Sequence, residues 1–431
     1  MADIREFRQI LLTQGVSILE AREVPSTIDP TSVVFRPVTE IPNFRILEQR
    51  YANDFADRNR LMDLYDGKEV RLVFWNEFKD RRVDETAILR RANGQTYYEI
   101  GNELHTEHPG TLVLPDINQW DKDPVLRFKV NTENANGREV PFELSYLANG
   151  WNWSADYALR WDDKKGLVDW TGWVTLNNGT DAQYENAKVS FVAGTPRRVS
   201  YGSPYSPQPM YKAMRAEAMM ASAAPMQDFG SSSMGEYYEF AAPQAVTVDR
   251  QGSVRMRLFR YPEVKAENSF EIDTQRISRV RPVTGEEEIP ARLYLKITNA
   301  KDKGFGMALP AGVARVYIKD RWIGEDNVAY TPVGDTARLE VGEVFDVQAL
   351  RKLIQHKDIS TNMHEREWEL EVFNRKTDTI QVVVWENFYG HWKILKAGEK
   401  YTQVDGQRIR FDLTLKPGES KKFRYRVQFG L

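Results

Sequence analysis

The stretch RIRFDLTL at residues 408–415 decides the fold class, because apolar and polar side chains alternate in it at every step. Alternation with period two places all the apolar residues on one face of a β-strand. The turn-forming residues KPGE follow at 416–419, and a second alternating stretch, KFRYRVQF, occupies 422–429. Two such strands joined by a short turn predict an antiparallel hairpin with one buried face.

The same alternation recurs along the chain, for example at 70–74, 254–258 and 293–297. Asn-Gly and Asp-Gly pairs, which favour tight turns, occur repeatedly between the alternating stretches. Residues 57–65 predict a helix of about two turns, and helical patterns are otherwise scarce. The sequence therefore predicts an all-β protein of tandem antiparallel β-sandwich domains with little helix.

Three regions are expected from the distribution of strands, turns and low-complexity sequence. Residues 1–125 form a β-rich region with one short helix and a hairpin-rich unit. Residues 126–281 form a β-sandwich, interrupted at about 200–235 by a Met-, Ala-, Ser- and Pro-rich insertion. Residues 282–431 form a carboxy-terminal β-sandwich. Within that last region, 349–353 fits either a strand or a helix.

Composition excludes several classes of function. The chain has 59 Lys and Arg against 62 Asp and Glu, a net charge of −3, which argues against a nucleic-acid partner. The absence of cysteine excludes disulfides, zinc ribbons, thiol nucleophiles and cysteine-bound iron–sulfur clusters. No apolar run approaches the roughly 20 residues that span a bilayer, so no transmembrane segment is expected.

Catalytic and metal-binding motifs are also missing from the sequence. There is no His-Glu-x-x-His motif of zinc proteases and no Gly-x-Ser-x-Gly nucleophile elbow. Of the five histidines, His105 and His108 are close together in sequence, but Pro109 and Gly110 follow them and favour an exposed turn. We therefore expect no catalytic residues, no cofactor and no metal ligands, which favours a protein that is not an enzyme and leaves an enzyme as the alternative.

Tryptophan is unevenly distributed, with five of the eleven in the 23 residues from 151 to 173. Exposed indoles stack on sugar rings, so aromatic clusters are candidates for contact with a glycan or with a partner protein. The candidate residues are Trp151, Trp153, Trp161, Trp170, Trp173, Trp385, Tyr389 and Trp392. The alternative, which the phase of the strand alternation favours, is that these rings fill the sandwich core.

Several stretches resemble one family in the same order along the chain. They include LSYLANGWNWSADY at 144–157, WTGWVTLNN at 170–178 and GMALPAGVARVY at 306–317. They are similar to the bacterial family of unknown function numbered forty-one thirty-nine, some members of which are mucoidy-inhibitor-A-like. The resemblance covers nearly the whole chain. It implies an exported β-rich protein and supplies no catalytic residues to transfer.

Localisation rests on two observations. The amino-terminal residues MADIRE lack the basic region and apolar core of a signal peptide. Because the similar family is exported, we expect a periplasmic or extracellular protein whose leader has been removed from this chain. A cytoplasmic location is the alternative.

The function expected from the sequence is that of a non-catalytic structural or interaction component of the bacterial cell envelope or the extracellular space. One alternative is a glycan-binding or glycan-processing protein that uses the aromatic cluster at 151–173. The other is a self-assembling surface or filament subunit, because the edges of sheets readily pair with other chains. The partner is an unknown protein or glycan, and a homo-oligomer fits the third possibility.

Overall fold

The computed structural model describes residues 1–54, 58–77, 80–116, 120–121, 123–194, 230–234, 237–274, 285–388 and 390–430. Twenty-eight strands follow one another along these residues. They are β1 (Ala2–Arg22), β2 (Val34–Pro37), β3 (Arg45–Ala52), β4 (Glu69–Asn76), β5 (Arg81–Ala92), β6 (Gln95–Ile100), β7 (Glu103–His105), β8 (Thr111–Val113), β9 (Val125–Ala148), β10 (Trp151–Asp162), β11 (Leu167–Asn178), β12 (Tyr184–Ala187), β13 (Ser190–Ala193), β14 (Gly230–Met234), β15 (Tyr237–Ala241), β16 (Val246–Val248), β17 (Ser253–Lys265), β18 (Glu267–Asp273), β19 (Glu286–Thr298), β20 (Gly312–Ile318), β21 (Arg321–Val328), β22 (Thr336–Ser360), β23 (Met363–Asn374), β24 (Ile380–Asn387), β25 (Trp392–Ala397), β26 (Tyr401–Gln403), β27 (Arg408–Leu415) and β28 (Ser420–Gly430).

Helix is scarce, as the sequence predicts. In the described part of the chain the one α-helix is α1, Arg58–Leu64, at the predicted position, and Pro30–Ser32 and Lys301–Lys303 form short 3-10 helices. None of the helices among the described residues has the length and apolarity needed to cross a membrane. The all-β class is confirmed.

One compact unit comprises residues 1–152, 176–187 and 246–254. The long strands β1 and β9 pair antiparallel throughout, and β9 pairs with β2 and β3 along its other edge. A separate five-stranded sheet has the order β7-β6-β5-β4-β8, and α1 contributes Met62 to its own small core. This sheet contains the hairpins expected near the amino terminus, and one of the Asn-Gly pairs that favour tight turns, at 93–94, connects β5 to β6.

The other compact unit comprises residues 153–175, 188–245 and 255–431. Its largest sheet has nine strands in the order β25-β28-β23-β22-β19-β18-β24-β27-β26. A five-stranded sheet, most of whose residues belong to this unit, has the order β17-β11-β10-β20-β21. Pairing is mostly antiparallel, but β10 with β20 and β18 with β24 pair in parallel. The three-domain division expected from sequence stays a prediction.

The predicted carboxy-terminal hairpin is wrong, although both of its strands form. β27 pairs with β24 and β26, whereas β28 pairs with β23 and β25. The ring centroids of Phe411 on β27 and Phe423 on β28 lie 4.8 Å apart inside one core. The turn at 416–419 therefore carries the chain from one layer of a curved sheet to the facing layer. The strands contact each other through side chains, without a shared ladder of hydrogen bonds.

Two further expectations concern particular segments. The insertion predicted at 200–235 lies outside the described residues, except for Gly230–Met234, which forms β14 and pairs with β15. Residues 349–353, whose sequence fits either a strand or a helix, belong to β22. These residues form a strand and not a helix because β19 and β23 pair with β22, one along each edge.

Candidate functional site

The predicted aromatic cluster at 151–173 lies on β10 and β11, and its members differ in exposure. Trp161 and Trp170 are buried, with 5% and 0% of their surface exposed. Trp151, Trp153 and Trp173 are half-buried. The cluster is therefore divided between rings that belong to the core and rings that retain some access to solvent.

Trp170 lies at the centre of a group of aromatic rings. It stacks on Phe305 with centroids 5.0 Å apart, and its ring is edge-on to Tyr157 at 6.0 Å and Phe259 at 6.1 Å. The Tyr157 hydroxyl donates to the backbone carbonyl of Pro310 at 2.6 Å, and burial raises the pKa of Tyr157. These contacts are typical of a packed core.

The half-buried indoles pack on other side chains of the protein, for example Trp151 on Tyr184 with ring centroids 5.4 Å apart. Trp153 contacts Phe191 with centroids 5.3 Å apart. The guanidinium of Arg255 lies 4.8 Å from the centre of the Trp173 ring, a cation–π geometry. These rings and Trp151 are the members of the cluster that a glycan or a partner could still reach, and contact with either stays a prediction.

The second aromatic group lies near the end of β24 and the start of β25. The Trp385 Nε1–H donates to a carboxylate oxygen of Glu271 at 2.8 Å. The Trp392 Nε1–H donates to the backbone carbonyl of Gly406 at 2.7 Å. Tyr389 lies outside the described residues. Both indole N–H groups are thus occupied within the protein.

Glu271 is a buried carboxylate that binds several donors. Besides the hydrogen bond from Trp385, it accepts one hydrogen bond from Arg338 at 2.8 Å and forms an ion pair with Lys296 at 3.1 Å. Burial alone would raise the pKa of Glu271, but the donors from Trp385, Lys296 and Arg338 lower it below its ordinary value of 4.5. The ionised carboxylate therefore stabilises the fold.

We expect Glu271→Gln to destabilise the protein at pH 7 by about 1–3 kcal/mol, because it removes the charged acceptor from these donors. Since the folded pKa is lowered, the contribution of the wild-type carboxylate is present above pH 4.5 and is lost as the pH falls through the folded pKa. Urea unfolding at pH 7 and at about pH 3 measures both effects. An equal difference at the two pH values contradicts this account. The exposed Glu286, paired with Lys352 at 2.9 Å, is the control, and Glu286→Gln is expected to have little effect.

A charged group is buried in the nine-stranded sheet. Arg351 Nη2 donates to Glu386 at 2.8 Å and to the Tyr425 hydroxyl at 3.0 Å. The Thr274 hydroxyl donates to the same Glu386 oxygen at 2.7 Å, and the Arg351 guanidinium lies 3.7 Å from the centre of the Trp368 ring. Burial raises the pKa of Tyr425 well above its ordinary value, so this hydroxyl stays protonated. We call these side chains the buried charged group.

Sequence reasoning missed the buried charged group, although the pattern contains a signal for it. On β24, Val382, Val384 and Glu386 are all buried and occupy the same phase of the alternation. On β22, Arg351 occupies the same phase as the buried Val347 and Ala349. A charged residue in the inward phase of a strand predicts a buried, paired charge.

β1 has an unusual solvent-facing side and an open edge. It pairs with β9 along one edge, and no described strand pairs with the other edge. Four large apolar side chains of β1 are exposed, Phe7 (67%), Leu11 (56%), Val16 (60%) and Ile18 (64%). A long, apolar, unpaired edge is a ready surface for pairing with another strand. We call this surface the β1 edge.

One group of metal-ligating side chains comes together among the described residues. His356 Nε2 lies 3.0 Å and His364 Nδ1 lies 2.6 Å from the same oxygen, Oδ1 of Asp358. The two imidazole rings are nearly parallel, with centroids 5.9 Å apart. These residues were not predicted as ligands, because His356 and His364 become neighbours only through the pairing of β22 with β23.

Comparison with known proteins locates the chain in a family. No curated protein and no solved structure matches it. The family model described as Domain of unknown function (DUF4139) matches residues 142–430, which is well over half of the chain. The match contains the stretches at 144–157, 170–178 and 306–317, which carry the resemblance. The chain belongs to the DUF4139 family.

Proposed function

We propose that this protein is a non-catalytic structural or interaction component of the bacterial cell envelope or the extracellular space, and that it associates with a second copy of itself through the β1 edge. The observation that carries the proposal is the exposure of Phe7, Leu11, Val16 and Ile18 on a 21-residue strand whose second edge has no described partner. Strand pairing satisfies the outward-facing backbone groups, and it brings apolar side chains of the two copies side by side on one face of the joined sheet, where each covers part of its neighbour.

The charges of β1 favour one antiparallel register between two copies. If Phe7 of one copy lies opposite Ile18 of the other, Arg5 lies opposite Glu20 and Asp3 opposite Arg22. Shifting this register by two residues places like charges opposite each other, either Arg5 with Arg22 or Asp3 with Glu20. Opposite charges across a strand pair stabilise it and like charges destabilise it.

The shape of β1 agrees with this register. The centre of the pairing falls between Leu12 and Thr13, where the register of β1 against β9 already shifts. Such irregularities bend a strand. Two copies paired about this point would each have this irregularity at the centre of the pairing.

Phe7→Lys is expected to weaken self-association by about tenfold or more, because a charge replaces an apolar contact at both ends of the symmetric pair. Light scattering over a range of protein concentrations measures the monomer–dimer equilibrium. Phe345, 86% exposed on β22, provides the matched control, and Phe345→Lys should leave the equilibrium unchanged. A wild-type mass that stays monomeric at all concentrations contradicts the proposal, as does equal weakening by both variants.

The register itself is testable by exchanging charges. Asp3→Arg places two positive charges opposite each other at both ends and should weaken the dimer. Adding Arg22→Asp restores opposite charges and should recover at least part of the affinity. If the double variant associates more weakly than Asp3→Arg alone, this register is excluded.

A further inference from the structure

We infer that His356, Asp358 and His364 form a binding site for one divalent transition-metal ion, with zinc as the ion that the ligand set suits well. The inference is independent of the proposed self-association, because the site lies on β22 and β23 and β1 takes no part in it. Two imidazole nitrogens and one carboxylate oxygen are the ligand types of many protein zinc sites.

The backbone holds the three side chains together. Asp358 lies directly opposite His364 in the antiparallel pair of β22 and β23, and His356 is two residues before Asp358. Because side chains alternate between the faces of a strand, all three point to the same face of the hairpin. The hydrogen-bonded ladder thus provides a preformed arrangement, and little chain entropy is lost when an ion binds.

The exposure of the side chains suits an ion that enters from solvent. The imidazoles of His356 and His364 are 24% and 17% exposed, whereas the Asp358 side chain is 66% exposed. The histidines are therefore held by packing, including contact of His364 with Phe429 at 5.7 Å between ring centroids. Asp358 can adjust its position when the ion arrives.

The distances fit a metal site after small side-chain rotations. Zinc–nitrogen bonds of about 2.0–2.1 Å in tetrahedral geometry separate neighbouring ligand atoms by about 3.3 Å. The two nitrogens lie 3.0 and 2.6 Å from Asp358 Oδ1, and all three ligand atoms lie within 4.8 Å of one another. Three protein ligands leave a fourth position for water or another ligand. Calcium and magnesium are disfavoured, since they prefer oxygen.

Arg366 opposes binding and gives the proposal a sharper test. Arg366 lies opposite His356, and its Nε–H donates to His356 Nδ1 at 3.4 Å. A histidine that binds a metal through Nε2 carries its proton on Nδ1, which normally donates to an acceptor. Arg366 must therefore turn away when the ion binds. A glutamine there could accept that hydrogen bond, so Arg366→Gln should strengthen binding.

The test is titration of the full chain with zinc chloride by isothermal calorimetry. We expect one equivalent to bind to the wild type, and His364→Gln and His356→Gln each to weaken binding by about tenfold or more. His105→Gln is the matched control, because His105 also lies beside a carboxylate, Glu103 at 3.6 Å, in a different sheet. This control should bind like the wild type. Urea unfolding of each variant identifies any loss that is due to misfolding.

Four outcomes decide whether the site binds the ion. The site is supported if the wild type binds one equivalent of zinc, if His356→Gln and His364→Gln each weaken this binding, and if Arg366→Gln strengthens it. Absence of binding to the folded wild-type chain overturns it. Binding that persists in both histidine variants, or that is lost in His105→Gln, also overturns it because the ion is then held elsewhere. Zinc-induced shifts of the His356 and His364 imidazole resonances provide a second readout.

Discussion

Arg351→Met is expected to lower the free energy of unfolding by about 3–5 kcal/mol, because it leaves the carboxylate of Glu386 buried without its positive partner. Glu386 is completely buried and Arg351 is 6% exposed, so water cannot replace the lost interaction. Replacing the guanidinium also removes a donor to the Tyr425 hydroxyl. Urea unfolding at pH 7 measures the change.

The double variant Arg351→Met with Glu386→Leu separates the charge effect from packing. Replacing both members of a buried ion pair with apolar residues is often neutral or stabilising, so the double variant should be more stable than Arg351→Met alone. If the change in the free energy of unfolding of the double variant equals the sum of the changes for Arg351→Met and Glu386→Leu alone, the two charges do not interact in the folded state. Arg424, which forms an exposed pair with Glu369 at 2.7 Å, is the control, and Arg424→Met should cost about 0–1 kcal/mol.

Trp170→Ala is expected to destabilise the protein by about 3–5 kcal/mol, through lost burial and the cavity left among the surrounding rings. The side chain is fully buried, and it contacts Phe305, Tyr157 and Phe259. Urea unfolding followed by circular dichroism measures the change without relying on tryptophan emission.

Trp322 is the natural control for this substitution, because it is 59% exposed. Trp322→Ala should change the free energy of unfolding by about 0.5 kcal/mol or less. Equal losses for the two variants would mean that the indole of Trp170 contributes no more than an exposed ring, which would contradict its assignment to the core.

The face of each strand is largely predictable from this sequence, whereas the partner of each strand is not. On β27 the alternation identified Ile409, Phe411 and Leu413 as the inward residues, and all three are buried. The same pattern wrongly paired β27 with β28. Period-two alternation indicates which face of a strand packs against the core. It contains no information about which neighbour supplies the hydrogen bonds, because that depends on distant parts of the chain.

For the candidate sites too, the sequence identifies individual residues but does not identify the residues that they contact. Glu386 and Arg351 are charged residues at positions of the strand alternation that are otherwise apolar. Their contact depends on strands that are not adjacent in sequence. His356 and His364 are visible as two of only five histidines, yet their pairing depends on the turn between β22 and β23. The sequence did not identify the exposed apolar face of β1 either, because apolar residues of β1 lie on both faces of the strand. In each case the sequence contains a local signal, and the contacts of that residue depend on how the strands pair.

The parallel pairing of β10 with β20 has a consequence for how the protein is made. Ala155 meets Gly312, so β10 emerges from the ribosome about 150 residues before the strand that completes it. At ordinary rates of translation this delay lasts roughly 8–30 s. During that interval nascent β10 has an open side that other unfinished chains can occupy. Fragments truncated before Gly312 should therefore depend on chaperones to stay in solution.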